Sequence, residues 1–252
     1  MNNNNMNNNM NNNMNNNNNI NSLTDIKHIF YINLEHRTDR KTHIEQQLTR
    51  LGLPHFERFN AVKLANGAVG CSMSHLKCLQ LAKERNYDHL LICEDDTTFL
   101  NPSLFIQQIN TFLQKKPAPN WDVLLFAGNN LPPYRQIDDT CIQVSFCQTT
   151  TCYLVQAHYF DTLITNIKTG LQHLLNEPHQ HRIYAIDKFW IQLQQKDMWL
   201  LIIPLTVVQK EDYSDIEKRQ TNYIGLMTDL NKPHFFARPT PVTMPLLHSN
   251  RT

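Results

Sequence analysis

The sequence predicts an α/β fold, a single domain whose mixed, mostly parallel sheet is flanked by helices. Three observations carry this expectation. Apolar runs of strand length alternate with amphipathic stretches of helix length. Two of the runs, 28–34 and 89–93, are mostly apolar, as strands covered on both faces are. The second run stops abruptly in Glu94, Asp95 and Asp96, so it delivers three carboxylates to one edge of a sheet. Ligands of open α/β sheets gather at the carboxyl ends of strands, which puts the acids where chemistry is expected.

The elements follow in order. The run 28–34 (His-Ile-Phe-Tyr-Ile-Asn-Leu) is a first strand, rich in β-branched and aromatic residues. Thr38 caps a helix over about 39–51, with Ile44, Leu48 and Leu51 on one face and Gly52 stopping it. A short strand at 56–59 precedes a helix over about 72–85 and then the strand that ends in the acids. Asn101 and Pro102 open another helix, because proline suits the first helical position. Its core stripe is Phe105, Ile109, Phe112 and Leu113. Further strands are expected at 121–126, 142–146 and 152–155, and further helices at 159–167 and 187–195.

Composition narrows the setting. Of 252 residues, the first 21 are almost all Asn with periodic Met. Asn offers no apolar face, so 1–21 reads as a disordered tail, 25–230 as the folded body and 231–252 as a C-terminal extension. Asn codons are A-rich, which suits an AT-rich genome such as that of a large virus or a protist. A net charge of +1 without a dense Lys/Arg cluster argues against nucleic acid or an anionic membrane as partner. The longest apolar stretch, 198–208, holds Pro204 and is too short to span a bilayer. The tail lacks the charged and apolar regions of a signal peptide, and the C-terminus carries no retention signal. Six cysteines without a Cys-x-x-Cys pair read as reduced thiols, and no zinc spacing is met. The expected setting is therefore cytoplasmic, a virus-infected host cytoplasm included, and self-association into a homo-oligomer is compatible with it. The twelve histidines read mostly as surface residues, His173, His179 and His181 among them.

Three adjacent carboxylates repel one another, and a hard divalent cation relieves that repulsion. Magnesium or manganese so held can neutralise a diphosphate leaving group, although a solvated acidic turn has the same composition. With only six glycines there is no glycine-rich phosphate loop. Two of them lie in Gly67-Ala68-Val69-Gly70, a turn that lets backbone approach a ligand before a helix carrying Ser74 and His75. A helix cap followed by a packed histidine explains the same residues.

An ordered series of segments resembles glycosyltransferase family 25, which groups lipooligosaccharide and procollagen galactosyltransferases. Ile32-Asn33-Leu34 with Arg37, Asp39 and Arg40 resembles its opening motif. Asn60-Ala61-Val62 and Gly70-Cys71-Ser72-Met73-Ser74-His75 resemble the second block, and Leu91 to Asp96 the acidic motif. Thr150 to Val155 and Ala185 to Phe189 resemble two later blocks, and Gln209 to Ile216 a weaker last one. The chain departs from the pattern in two places: no Gly precedes the Thr150 block, and Thr97-Thr98 follow the acids.

The resemblance implies a GT-A-like fold, a manganese (or magnesium) ion, a UDP-sugar donor and inversion at the anomeric carbon. The implied metal ligands are Asp96 and Glu94, with Asp95 beside them on the donor side. Asn33, Leu34, Arg37, Arg40, Ala61 and Ser74 complete the implied donor site. The two arginines suit diphosphate oxygens, and a solvated helix start has the same residues. An inverting transfer needs a base, for which Asp187 is the first candidate and His75 the second, while a plain helix cap also fits Asp187. The acceptor is a hydroxyl of a glycan or a protein. A catalytically inactive nucleotide- or glycan-binding relative is the competing expectation. A metal-dependent phosphoryl-transfer domain explains the acids but not the other blocks.

Overall fold

The computed structural model describes residues 20–53, 55–115, 120–214 and 216–232. In chain order the first half contains β1 (Ile29–Asn33), α1 (Thr38–Arg50), β2 (Glu57–Asn60), α2 (Gly67–Glu84), β3 (His89–Glu94), β4 (Thr97–Phe99), α3 (Pro102–Leu113) and β5 (Val123–Leu125). Short strands β6 (Asn129–Asn130), β7 (Tyr134–Gln136), β8 (Cys141–Val144) and β9 (Cys147–Gln148) lead to β10 (Cys152–Gln156). Then come α4 (Phe160–Asn176), α5 (His181–Tyr184), α6 (Ile186–Phe189) and α7 (Ile191–Gln194). The rest is β11 (Trp199–Ile202), β12 (Val207–Gln209), β13 (Asp212–Ser214), β14 (Arg219–Thr221) and α8 (Ile224–Thr228).

Eight strands form one sheet in the order β2-β1-β3-β10-β5-β11-β8-β7. The pairings run β2, β1, β3, β5, β11 and β7 in one direction and β10 and β8 in the other. The sheet is thus mostly parallel by strand direction and mixed by neighbour, as expected. Burial on both faces explains the mostly apolar runs. Leu90 and Ile92 of β3 pack with α2 and α4, through Leu79 and Leu163. Leu91 and Cys93 pack on the other face with Ile44 and Leu48 of α1 and Phe105, Ile109 and Phe112 of α3.

Several expectations need correction. Thr38 is the first residue of α1 and not its cap; Arg37 holds the cap position, without a side-chain capping bond. Helix α2 begins five residues earlier than expected, because the Asn66 side chain accepts the Ala68 and Val69 N–H groups. Gly67 to Gly70 are therefore its first turn, and a β-carbon on Gly70 would lie 2.5 Å from the Val62 carbonyl oxygen. The glycine permits the helix start to pack on the chain leaving β2. Helix α4 continues to Asn176, past Gly170, where a β-carbon would meet the Phe189 ring at 2.8 Å. The helix expected at 187–195 is two short pieces, α6 and α7. Strand β11 was not anticipated: a short, fully buried apolar run has neither a helix nor a strand period. Among the histidines, His75 and His89 are buried, each with ring-nitrogen partners, while the other described ones are at least partly exposed.

Residues 1–19 and 233–252, and with them most of the expected tail and C-terminal extension, lie outside the described residues. Ile20 packs against the core and the Asn21 N–H bonds Asp25, so the body extends to these two positions. Among the described residues, no helix is long and apolar enough to cross a membrane.

Candidate active site

Parallel pairing of β2, β1 and β3 brings their carboxyl ends together, with Asn33 beside Asn60 and Ile32 beside Glu94. The acids, the first-strand asparagine and the arginines of α1 converge on that edge. Asp95 is buried and accepts Asn33 Nδ2 at 2.7 Å and an Arg40 guanidinium nitrogen at 3.1 Å. Burial nevertheless pushes its carboxyl above the usual range. Asp96 accepts the same Arg40 nitrogen at 3.2 Å through Oδ2. Its Oδ1 is buried with no hydrogen-bond partner among the described residues. Burial, then the nearby Glu94 and Asp95 charges, push Asp96 up to about 8, with Arg40 opposing.

Glu94 has different surroundings. Its Oε1 accepts the Thr150 hydroxyl at 2.6 Å and faces His75 Nε2 at 3.3 Å, and its Oε2 faces Gln209 Nε2 at 3.3 Å. Burial works to raise this carboxyl, but His75, Thr150 and Gln209 outweigh it and hold it below its ordinary value. The strand partners explain the convergence. Antiparallel β10 sets Thr150 and Thr151 beside the end of β3, and β12 pairs Gln209 with Thr97.

Arg37 and Arg40 do not point into open solvent. Arg37 bonds Asp39 and, at 2.8 Å, Asp212; Arg40 bonds Asp212 at 3.1 Å and the Tyr213 carbonyl at 2.9 Å. The hairpin of β13 and β14 is thereby tied over the acids. Asn33 has its amide fully occupied, since Nδ2 also donates to the Arg37 carbonyl and Oδ1 accepts Arg58 Nε at 2.9 Å. Leu34 and Ala61 flank it: the Arg37 N–H bonds the Leu34 carbonyl and the Ala61 N–H bonds the Asn33 carbonyl. Ser74 is spent within the fold, accepting the Val62 N–H and donating to the Gly70 carbonyl.

His75 is buried between Tyr153, whose hydroxyl lies 2.8 Å from Nδ1, and Glu94. Asp187, the second residue of α6, accepts the Thr149 N–H at 3.2 Å and pairs with Lys188 at 3.1 Å. Thr149 holds a φ of +77°, rare for a β-branched residue and a sign of a position fixed by its surroundings. The Cys71 thiol is pushed well up by burial, then by Glu94 and Asp187, which sets both carboxylates near one sulfur.

Reasoning from sequence gave Asp212, Arg58, Thr150, Gln209 and Tyr153 no role. Thr150 and Tyr153 lie inside a later segment of the family resemblance, and Gln209 and Asp212 inside its weaker last one, which was the available signal. Arg58 had none, because its partner Asn33 is fixed by the β1–β2 register.

The fold and site define an α/β protein with a carboxylate- and arginine-lined sheet edge suited to an anionic ligand and a cation. Comparison shows what the chain is similar to. The profile of glycosyltransferase family 25, described as an LPS biosynthesis protein, matches residues 62–125. A glycosyltransferase 25 family member of Anopheles gambiae is 24% identical over 193 residues, covering 65% of this chain and 31% of that protein. The chain is thus similar to family 25 glycosyltransferases, and it spans about a third of the length of that curated relative. Among solved structures, a glycosyltransferase involved in glycosylation of the major capsid of PBCV-1 is 12% identical, with 69% of this chain and 91% of that one covered and a TM-score of 0.36. A mutant Drosophila β-1,4-galactosyltransferase 7 in complex with manganese, UDP-Gal and xylobiose is 19% identical, with 54% and 51% covered and a TM-score of 0.31.

Proposed function

We propose that the chain is a metal-dependent, inverting glycosyltransferase with a GT-A-like site that moves a hexose, galactose or glucose, from a UDP-sugar to a hydroxyl of a glycan or protein. The observation that carries this reading is Asp96. A half-buried carboxylate with one buried oxygen unpartnered among the described residues and a pKa pushed up to about 8 is unfavourable alone, and a divalent cation relieves it. The oxygen donors of Asp96, with Glu94 Oε2 from two residues earlier, fit manganese or magnesium. When bound, such an ion supplies charge stabilisation for the departing diphosphate.

The protein's own groups account for the rest. Arg40 and Arg37 exchange Asp212 for diphosphate oxygens, and their planar guanidinium groups suit bidentate contact. Asn33 holds Asp95, which in turn keeps Arg40 in place. On the other side of the sugar, Asp187 takes the proton of the acceptor hydroxyl as its oxygen bonds the anomeric carbon. The bond from that carbon to the β-phosphate oxygen breaks, and UDP carries away the electron pair. Thr149 and Lys188 keep the Asp187 carboxylate oriented. The family description as LPS biosynthesis supports a surface glycan as acceptor.

A panel of nucleotide sugars assayed for UDP release with manganese tests this reading. The expected result is release from UDP-galactose or UDP-glucose, stimulated by a glycan or protein acceptor and stopped by chelator. Binding of UDP with no turnover on any donor would favour a non-catalytic relative instead.

A further inference from the structure

We propose that Cys71, His75 and Glu94 form a separate metal site, suited to a borderline divalent cation such as zinc. Cys71 and His75 stand four residues apart on α2, hence on one face of the helix. Glu94 meets them from the end of β3. One atom from each, Cys71 Sγ, His75 Nε2 and a Glu94 oxygen, lie within 4.8 Å of one another.

The spacing is that of ligands around an ion. Zinc distances of ~2.3 Å to sulfur and ~2.1 Å to nitrogen or oxygen, at tetrahedral angles, separate N and O by about 3.4 Å and S and O by about 3.6 Å. The observed separations are 3.3 Å for His75 Nε2 to Glu94 Oε1 and 3.8 Å for Cys71 Sγ to the same oxygen. The first is long for a hydrogen bond to a carboxylate, which prefers about 2.7–2.9 Å.

The surroundings are those of a metal-binding histidine. A ligating imidazole donates its other N–H to a fixed acceptor, which sets the tautomer. Here Nδ1 lies 2.8 Å from the hydroxyl of fully buried Tyr153; with the proton on Nδ1, Nε2 turns its lone pair toward Glu94 Oε1. The Thr150 hydroxyl, 2.6 Å from Glu94 Oε1, fixes the carboxylate in the same way. Cys71 and Glu94 are half-buried and His75 is buried, so two of the three groups keep some exposure. A thiolate and an imidazole favour zinc or cobalt over magnesium or manganese, whereas the oxygens of Asp96 favour the harder ions. The Glu94 carboxylate divides between the two sites: Oε1 faces Cys71 and His75, and Oε2 faces Gln209.

Cobalt(II) added to the full-length reduced protein tests the proposal, because a thiolate ligand gives cobalt a near-ultraviolet charge-transfer band. One equivalent of cobalt is expected to produce the band, and one equivalent of zinc to remove it. Cys71→Ser should abolish it, and Tyr153→Phe should weaken cobalt binding by roughly 10–100-fold, the usual loss when the group behind a ligating histidine is removed. Asp96→Asn should leave the band in place, which separates this site from the one proposed for sugar transfer. No band with the wild-type protein, or a band that survives Cys71→Ser, would overturn the assignment. So would a band lost in Asp96→Asn and kept in Cys71→Ser.

Discussion

Replacing Asp96 with Asn should stabilise the metal-free protein while removing its activity. The folded-state pKa of about 8 stands far above the ordinary 3.8, so folding takes up a proton on Asp96 between those values. Stability from this group is complete below pH 3.8 and is lost as pH rises, levelling off above pH 8. Each pKa unit corresponds to ~1.4 kcal/mol, so between pH 5 and pH 8 the loss is on the order of 4 kcal/mol. Asn cannot ionise, and its amide oxygen still accepts the Arg40 bond, so the variant avoids this loss. His28, His43 and His89, whose pKa values are depressed chiefly by burial, act in the opposite sense as pH rises through their range. The difference between variant and wild type cancels their contribution.

The assay is urea unfolding in chelator at pH 5, 6, 7 and 8. The gap in unfolding free energy should open steadily with pH, with the variant the more stable at pH 8. Excess manganese should close the gap by stabilising the wild type alone. Equal stabilities across the range would refute the claim that the fold pushes the Asp96 carboxyl up to about 8.

Other expectations follow from the same geometry. Asp187→Asn should keep UDP affinity and lower turnover by roughly two to four orders of magnitude, the range for a lost general base; turnover at the wild-type rate would make Asp187 a helix residue only. Gly70→Ala drives a β-carbon toward the Val62 carbonyl, so thermal unfolding should show a loss of about 1–3 kcal/mol, typical of an overpacked site. Deleting residues 1–19 should leave melting temperature and turnover unchanged, since an Asn tract has no apolar face to pack. A truncated protein that fails to fold would place the tail inside the domain.

Much of the sheet was legible because its strands carry their own punctuation. β3 ends in charge, and α3 opens on Asn101 and Pro102, so local residue types mark the boundaries without tertiary knowledge. The carboxyl edge was legible too, since a strand's polar end implies where its ligand lies. What could not be read was set by packing. β11 is four apolar residues whose strand character comes only from its neighbours β5 and β8. The true start of α2 depended on the Asn66 side chain bonding across a turn. In the site, single residues were visible but their pairing was not. The expected diphosphate arginines are held by Asp212, far along the chain, and Ser74 turned out to serve the backbone around Val62. Such contacts follow from sheet register and hairpin placement, which no local pattern encodes.

Calorimetric titration of UDP, with manganese and then with chelator, into wild-type protein and Asp96→Asn tests the central claim most directly. The account predicts that UDP binds the wild type only with manganese and that Asp96→Asn loses this metal-dependent binding while remaining folded. UDP binding that is indifferent to chelator and undiminished in Asp96→Asn would contradict it.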